Sequence, residues 1–255
     1  MPTMPAVFAG HGSPMNAIED SPYRREWAAL GARLPRPKAI LCVSAHWETE
    51  GVAVTASKRP ETIHDFGGFP RELHELVYPA PGDPSLAARV ASLAKPDAVF
   101  QDPQRGLDHG AWSVLVAMYP DASVPVVQLS LDMTRSGAEH LSLAARLGPL
   151  RDEGVLLVAT GNIVHNLRYY DPRRREPFEW AARFDAKVKA LISEGDFATV
   201  ADYDGLGPDA ELAIAGPEHF LPLVYPLGLK RPGDAVAFFN ESVENAMSMT
   251  GVVVG

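Results

Sequence analysis

Residues 39–47 read AILCVSAHW, an apolar run that leads into serine, alanine, histidine and tryptophan. Two other stretches, AVFAGHG at 6–12 and VLLVATGNIVH at 155–165, lead in the same way from apolar residues to glycine and histidine. Strands that are apolar almost throughout are typical of parallel sheets covered on both faces. The three stretches therefore predict a mostly parallel central sheet with polar residues where its strands end.

The rest of the chain alternates such runs with stretches of helical spacing, which is the pattern of strand–helix–strand units. The predicted strands are 6–9, 39–45, 52–56, 124–131, 155–160, 235–239 and 252–254, and the clearest predicted helices are 84–93, 138–147 and 178–192. This order predicts an α/β fold, a three-layer sandwich with a binding site at the carboxyl ends of the strands. Because we find neither a repeat nor a linker-like segment, we expect residues 1–255 to form a single catalytic domain.

The charge balance and the cysteine usage exclude several classes of function. Lys and Arg total 23 against 32 for Asp and Glu, and the formal net charge of −9 disfavours binding to nucleic acid or to anionic membranes. The first residues resemble no signal peptide, and the apolar runs are far shorter than the ~20 residues of a membrane span. The only cysteine, Cys42, excludes disulfides within the chain and CxxC metal sites. We therefore expect a cytoplasmic protein with a small-molecule ligand, whose oligomeric state the sequence does not set.

Three of the eight histidines occupy corresponding places in the predicted sheet. His11 follows the first apolar run, His46 ends the second, and His165 lies just past a later one. Strands of an open α/β sheet present their carboxyl ends to one crevice, so these histidines are expected to converge. A single histidine is more often a structural residue, but three imidazoles at strand ends favour a site for iron(II), zinc or a related divalent ion.

Two further histidines are candidates for the same site. Pro217 is suited to the first position of a helix, which would present Glu218 and His219 near its start. Glu218 keeps open a centre of two histidines and one carboxylate, and the residues alone do not choose between it and His219. His109, in LDHGAWSVL, is either a group that contacts ligand or substrate or a turn histidine paired with Asp108.

The remaining three histidines are not candidate metal ligands. His64 belongs to TIHDFGGFP, whose glycines and phenylalanines suggest a mobile loop over a binding site. His74 and His140 lie in helical patterns with charged neighbours and are predicted to be surface residues. Sequence motifs of serine hydrolases, P-loop enzymes, dinucleotide enzymes and zincins are absent from the chain.

Eight fragments together carry a resemblance to a known family. In chain order they are GHGSPMNAIED, PKAILCVSAHWET, TIHDFGGFP, YPAPGDP, DHGAWSVL, MYPDASVPVVQLSLD, GNIVHNLRYY and PEHFLPL. With these fragments the chain resembles the type III extradiol ring-cleaving dioxygenases, in their bacterial DOPA 4,5-dioxygenase branch. The resemblance covers nearly the whole length, and eight fragments in the family's order are highly specific.

The resemblance implies one metal ion per chain, iron(II) in the active enzyme and often zinc in the isolated protein. It implies that His11, His46 and His219 are metal ligands. It also implies that His165 acts beside the metal as acid and base, and that His109 helps to hold substrate or oxygen. Because the DOPA branch draws its four metal-proximal groups from His11, His46, His165 and His219, His165 is also a candidate ligand.

The activity that the resemblance implies is the insertion of both atoms of O₂ into a catechol such as DOPA, which opens the ring beside the diol to a semialdehyde. The partners are then a small catechol and O₂. The physiological substrate is not fixed, and Arg168, Tyr169 and Arg173 are candidate contacts for a substrate carboxylate, although a surface position suits them better. Two alternatives use the same histidines: a zinc-dependent hydrolase that activates water, and a metal-binding protein without turnover.

Overall fold

A computed structural model describes residues 3–171, 173, 174 and 176–255 of the chain. Its strands are β1 Ala6–Gly10, β2 Ala39–Thr49, β3 Val52–Thr55, β4 Val99–Asp102, β5 Val126–Asp132, β6 Val155–Gly161, β7 Val236–Phe239, β8 Val243–Glu244, β9 Met247–Ser248 and β10 Gly251–Val254. Its α-helices are α1 Pro22–Arg33, α2 Arg71–Glu75, α3 Pro84–Leu93, α4 His109–Met118, α5 Gly137–Arg146, α6 Pro149–Asp152, α7 Glu179–Glu194, α8 Phe197–Ala201, α9 Pro208–Ala213 and α10 Val224–Gly228. Short 3₁₀ turns cover Pro14–Ala17, Tyr203–Leu206, Pro217–His219 and Leu221–Leu223.

Eight of the described strands form one sheet in the order β4-β3-β5-β2-β6-β1-β10-β7. The pairs β1–β6, β2–β6, β2–β5 and β3–β4 are parallel, and the remaining neighbours are antiparallel. The α/β fold with a mostly parallel central sheet is therefore confirmed. Strands β8 and β9 form a separate hairpin.

Both faces of the sheet are covered, as strands without polar alternation require. On β2, Leu41 and Val43 pack into one apolar cluster, and Ile40 and Cys42 pack into a second cluster on the opposite face. Helices α5, α7 and α10 contribute to the first cluster, and α1 and α4 contribute to the second. The predicted three-layer arrangement is present.

The start of α4 is fixed by a buried carboxylate. Asp108 is the N-cap of the helix, where its side chain accepts a hydrogen bond from the backbone N–H of Ala111. The Ser44 hydroxyl donates to the same Asp108 carboxylate at 2.7 Å. A capping carboxylate satisfies N–H groups that the first turn leaves free, and here it also ties the helix to β2. The residue that follows the cap, His109, is thereby set beside that strand.

Two expectations about histidines are wrong. His46 does not end its strand, because β2 continues to Thr49 after its pairing with β5 shifts register between Val43 and Glu48. His140 is fully buried rather than on the surface: its Nδ1 lies 2.9 Å from the Tyr225 hydroxyl and its Nε2 lies 3.1 Å from a backbone carbonyl. The charged neighbours of His140 suggested that it lies on a solvent-exposed face of its helix, but α5 packs this side against α10.

Strand β4 was not predicted, because its residues Val99–Asp102 are half-exposed at the edge of the sheet and lack an apolar run. His74 is exposed, as predicted. Within residues 3–171, 173, 174 and 176–255, no helix combines the length and the apolar composition that crossing a bilayer requires.

Candidate active site

A cavity of about 750 Å³ lies at the end of the sheet where β1, β2 and β6 finish, and the five candidate histidines all line it: His11, His46, His109, His165 and His219. Its remaining wall is mostly apolar and includes Phe66, Phe69 and Met249. The structure brings together His11, His46 and His165, which were expected to share a crevice. It adds His109 and His219 to the same space.

Backbone hydrogen bonds to the end of β6 fix the positions of His11 and His219. The His11 N–H, one residue past β1, donates to the Gly161 carbonyl at 3.0 Å, and the Asn162 N–H donates to the His219 carbonyl at 2.8 Å. A Cβ atom on Gly161 would lie only 2.1 Å from the His219 carbonyl oxygen. Glycine at the end of β6 is therefore required for the His219 turn to approach the sheet.

Three imidazoles form the centre of the cluster. The Nε2 atoms of His11 and His46 lie 3.2 Å apart. One ring nitrogen from each of His11, His46 and His109 lies within 4.8 Å of the others, and the ring centroids of His46 and His109 are 3.9 Å apart. The family resemblance implies a role for His109 toward substrate or oxygen, whereas the geometry groups its nitrogen with those of the two strand histidines.

His165 and His219 form a stacked pair next to this group. Their rings are parallel within 6°, with centroids 3.5 Å apart. Glu218 Oε1 lies 3.0 Å from His219 Nδ1, so the carboxylate favours the tautomer with hydrogen on Nδ1 and leaves Nε2 as the acceptor. The His219 ring lies 5.0 Å from that of His46 and 5.4 Å from that of His11, so the two groups adjoin.

Asp65 is a residue of this site that the sequence analysis missed. One carboxylate oxygen accepts a hydrogen bond from the His109 backbone N–H at 3.0 Å and lies 3.0 Å from His109 Nδ1. The other oxygen lies 3.7 Å from His46 Nδ1. Asp65 belongs to TIHDFGGFP, and a carboxylate next to a histidine in a fragment shared with a metal-dependent family was the available signal.

Asp108 does not pair with His109, contrary to the alternative considered for that turn. Its carboxylate accepts hydrogen bonds from Ser44, Arg105 and Gln128 instead. The loop that carries Asp65 is tied to α4, because the Trp112 indole N–H donates to the Ile63 carbonyl at 2.8 Å. His64 points away from the cavity wall, with its Nε2 2.9 Å from the Leu76 carbonyl, whereas Phe66 of the same loop lines the cavity.

Burial and mutual repulsion keep the imidazoles uncharged. Burial, and then the neighbouring His109 and His219, lower the pKa of His46 to about 2. Burial and then the neighbouring His219 lower the pKa of His165 to about 3. The pKa of His11 is also well below its usual range, again through burial first and His46 second. Neutral imidazoles have the free lone pairs that metal coordination requires.

The donor set fits a divalent metal ion. His11 is 2% exposed, and its Nδ1 has no hydrogen-bond partner among the described residues. Its Nε2 faces the Nε2 of His46, and two neutral imidazoles in that arrangement compete for one proton. An ion between nitrogen donors removes this conflict. A carboxylate oxygen of Glu218 also lies within 4.8 Å of ring nitrogens of His165 and His219, and imidazole and carboxylate donors without thiolate suit iron(II) or zinc.

The candidate carboxylate contacts lie elsewhere. Arg168, Tyr169 and Arg173 are exposed and are not among the described residues that line the cavity. From the same segment, Leu167 and Tyr170 line it instead.

The chain is similar to characterised and solved proteins over nearly its whole length. Residues 5–253 match the family model described as the catalytic LigB subunit of aromatic ring-opening dioxygenase. A 4,5-DOPA dioxygenase extradiol of Escherichia coli strain K12 is 46% identical over 99% of this chain and 95% of its own. One of Beta vulgaris is 40% identical over 87% of this chain and 85% of its own.

The fold has a solved counterpart as well. The crystal structure of an uncharacterized protein from Escherichia coli K12 superposes with a TM-score of 0.87 at 42% sequence identity, covering 99% of this chain and all of that one. The sheet with its flanking helices is thus shared with this solved structure. The chain belongs to the LigB family of aromatic ring-opening dioxygenases, the type III extradiol enzymes.

Proposed function

We propose that this enzyme opens the ring of a catechol such as DOPA beside its diol, with both atoms of O₂ entering the product. In the reaction the ring carbon–carbon bond next to the diol breaks, one oxygen atom ends in an aldehyde and the other in a carboxylate. The observation that carries the proposal is the convergence of five imidazoles in the wall of one cavity of about 750 Å³. The relatives named 4,5-DOPA dioxygenase extradiol support DOPA as the substrate to test first.

The residues that would hold the metal are His11, His46 and His219, with His165 as a further candidate ligand. The 3.2 Å approach of the first two Nε2 atoms and the Glu218 carboxylate behind His219 support this set. His109 is a competing third ligand, because its nitrogen groups with those of His11 and His46. When bound, iron(II) would supply the redox chemistry that couples a catechol to dioxygen. Zinc could occupy the same site but would not supply this redox chemistry.

His165 is our candidate for moving protons. Its low pKa leaves the imidazole neutral at pH 7, and its stacked position against His219 places it beside the candidate metal ligands. A neutral imidazole can accept a proton from a catechol hydroxyl and return it when the ring opens. The negative charge of a catecholate close by would strengthen this base, because an opposite charge favours the protonated form. His109 is proposed to hold substrate or oxygen, with Asp65 fixing its ring.

The apolar walls orient the ring and exclude water. Phe66 and Phe69 line the cavity, and Phe66 packs edge-on against the His109 ring with centroids 5.4 Å apart. The ring of a bound catechol can pack against Phe66 in the same edge-on way.

We propose that residues 1–255 act as one catalytic domain, since histidines from the start, middle and end of the chain meet here. The buried, free Cys42 supports a reducing compartment such as the cytoplasm.

Oxygen uptake tests the proposal directly. The metal-depleted protein is loaded anaerobically with iron(II), mixed with DOPA and exposed to air in an oxygen electrode. We expect one O₂ consumed per catechol, a yellow ring-opened product, and two labelled atoms in that product when the gas is ¹⁸O₂.

Zinc-loaded protein and the His11→Ala variant are the controls and should consume no oxygen. Cleavage of an ester or amide by the zinc form, without oxygen uptake by the iron form, would support the hydrolase instead. Metal binding without either reaction would leave a non-catalytic metal protein.

A further inference from the structure

Apart from the histidines, the charged side chains that line the cavity are all negative among the described residues. Two carboxylates, Glu19 and Glu244, line the cavity, and neither Lys nor Arg occurs among the described residues that do. An anionic substituent on a bound ring would therefore meet no cationic side chain of the wall, whereas a cationic one would meet two carboxylates.

The five imidazoles that line the cavity mark it as a binding site independently of these carboxylates. The fully buried Nδ1 of His11 has no partner among the described residues. Apolar side chains, among them Phe69 and Met249, enclose the space beside it. The negative groups thus belong to the wall of a site that the histidines already define.

Glu244 is held in place by a neighbour that also lines the cavity. The Tyr23 hydroxyl donates a hydrogen bond to Glu244 Oε1 and lies 3.2 Å from Ser242 Oγ. Burial, and then the contact with Glu244, raise the pKa of Tyr23 to about 12, so the hydroxyl keeps its proton. A neutral donor leaves the charge of the carboxylate uncompensated and orients it.

The position of Glu244 relative to the histidines follows from strand pairing. Glu244 on β8 pairs with Met247 on β9, and Met247 forms a bridge with His165. Directly paired residues have side chains on the same face, and all three line the cavity. Two strand spacings of ~4.8 Å place the Glu244 backbone roughly 10 Å from that of His165. Ser248, on the same hairpin, is fixed by a 2.6 Å hydrogen bond from its hydroxyl to Asp185.

We propose that Glu244, oriented by Tyr23 and assisted by Glu19, recognises an ammonium group on the side chain of the substrate. This inference rests on the proposed ring cleavage of a catechol and names its substrate class: catechols with an alkylammonium side chain. In an amino acid such as DOPA, the ammonium makes the recognised contact and the carboxylate makes none. Catechols that bear only a carboxylate are poor substrates.

The test compares three catechols that differ in the charge of one substituent: dopamine with an ammonium, 4-methylcatechol with none, and 3,4-dihydroxyphenylpropanoate with a carboxylate. Values of kcat/KM come from oxygen uptake by the iron-loaded enzyme at pH 7 and low salt. We expect kcat/KM to fall in that order, with the ratio of the first to the second lowered about fivefold by Glu244→Gln, as for loss of one partly exposed ion pair. Tyr23→Phe should lower the ratio in the same direction.

Glu241→Gln is the matched control, since Glu241 lies in the same segment, pairs with Lys189 at 3.2 Å and is not in the cavity wall. It should leave all three kcat/KM values unchanged. Equal preference for the carboxylate catechol, or an unchanged ratio in Glu244→Gln, would overturn the inference. Calorimetry of the anaerobic binding of the same compounds separates ammonium recognition from ring cleavage. An ammonium preference in binding without oxygen uptake would uphold this inference and refute ring cleavage, whereas oxygen uptake without the preference would do the reverse.

Discussion

Asp65 and His109 meet through both the backbone and the side chain of the histidine. The Asp65 carboxylate accepts the His109 backbone N–H at 3.0 Å and lies 3.0 Å from His109 Nδ1. Burial raises the pKa of Asp65, but the hydrogen bonds and charge interactions with His109, together with the interaction with His46, outweigh burial and hold this pKa at about 2, so the carboxylate is ionised at neutral pH. A carboxylate at Nδ1 selects the tautomer whose Nε2 is the acceptor, and this orients the ring toward the other histidines.

We predict that Asp65→Asn keeps the fold and lowers activity. An amide of the same size keeps an oxygen for the His109 N–H but removes the negative charge that fixes the ring. Loss of such a partner typically costs about 10- to 100-fold in activity or metal affinity. Oxygen uptake and bound metal should be measured on the same samples. Asp121→Asn, a surface change at a pair with Arg36, is the control, and full activity of Asp65→Asn would contradict the role.

A second prediction identifies the third metal ligand. His219→Ala should lose most of the bound iron, because it removes the imidazole whose Nδ1 lies 3.0 Å from Glu218. Glu218→Gln should retain iron, and His109→Ala should retain it while losing turnover. Elemental analysis of the folded variants after gel filtration decides the matter. Retention in His219→Ala together with loss in His109→Ala would transfer the ligand role to His109.

His165 is predicted to act on protons more than on the metal. His165→Ala should keep most of the iron in the presence of catechol and lower ring opening by ~10²–10⁴-fold, as for loss of a general acid or base. Single-turnover rates and metal content are measured together. If iron is lost in step with activity, His165 is a ligand, and unchanged turnover would make His109 the next candidate base.

Gly110 is predicted to protect the position of His46. A Cβ atom there would lie 2.3 Å from Ser44 Oγ and 2.7 Å from His46 Cδ2, so Gly110→Ala must displace one of them. We expect reduced iron binding with little change in circular dichroism. Gly67→Ala is the matched control, because a Cβ atom there meets nothing within 4 Å. Normal iron binding by Gly110→Ala would show that the cluster can shift without loss.

The buried His140 predicts a dependence of stability on pH. Burial lowers its pKa below 6.5, so below about pH 6.5 the unfolded chain binds a proton that the folded chain does not. The free energy of unfolding should therefore fall as the pH drops, by at most ~1.4 kcal/mol per pH unit from this residue. Urea titrations in EDTA at pH 7.5 and 5.5 should show a smaller decrease for His140→Gln than for the parent. The same decrease in both, as expected for the exposed His74→Gln, would contradict this.

The sheet and the meeting of three histidines were predictable because both depend on local patterns. Apolar runs specify strands, and strands of a parallel sheet end at a common edge, so His11 and His165 needed no knowledge of distant contacts. His46 was misplaced by a local irregularity that composition does not encode, the register shift after Val43. The site roles remain proposals that the variants above test.

What could not be predicted depends on contacts between distant segments. Asp65 reaches His109 across 44 positions, and nothing in its loop says which helix the loop will meet. The burial of His140 likewise depends on Tyr225, 85 positions away. Glu244 and Tyr23 are separated by 221 positions and meet only because the β8–β9 hairpin packs near the start of α1.

Strand β10 pairs antiparallel with β1, and the backbone of Met249 lies so close to Gly10 that a Cβ atom there would be 2.6 Å from it. During synthesis on the ribosome, His11 emerges more than two hundred residues before Met247 and Met249, which complete the wall beside it. A chain that stops before Met247 would contain all five site histidines and would lack this part of the cavity wall. The histidines of such a chain would lack an enclosed space in which to bind a substrate.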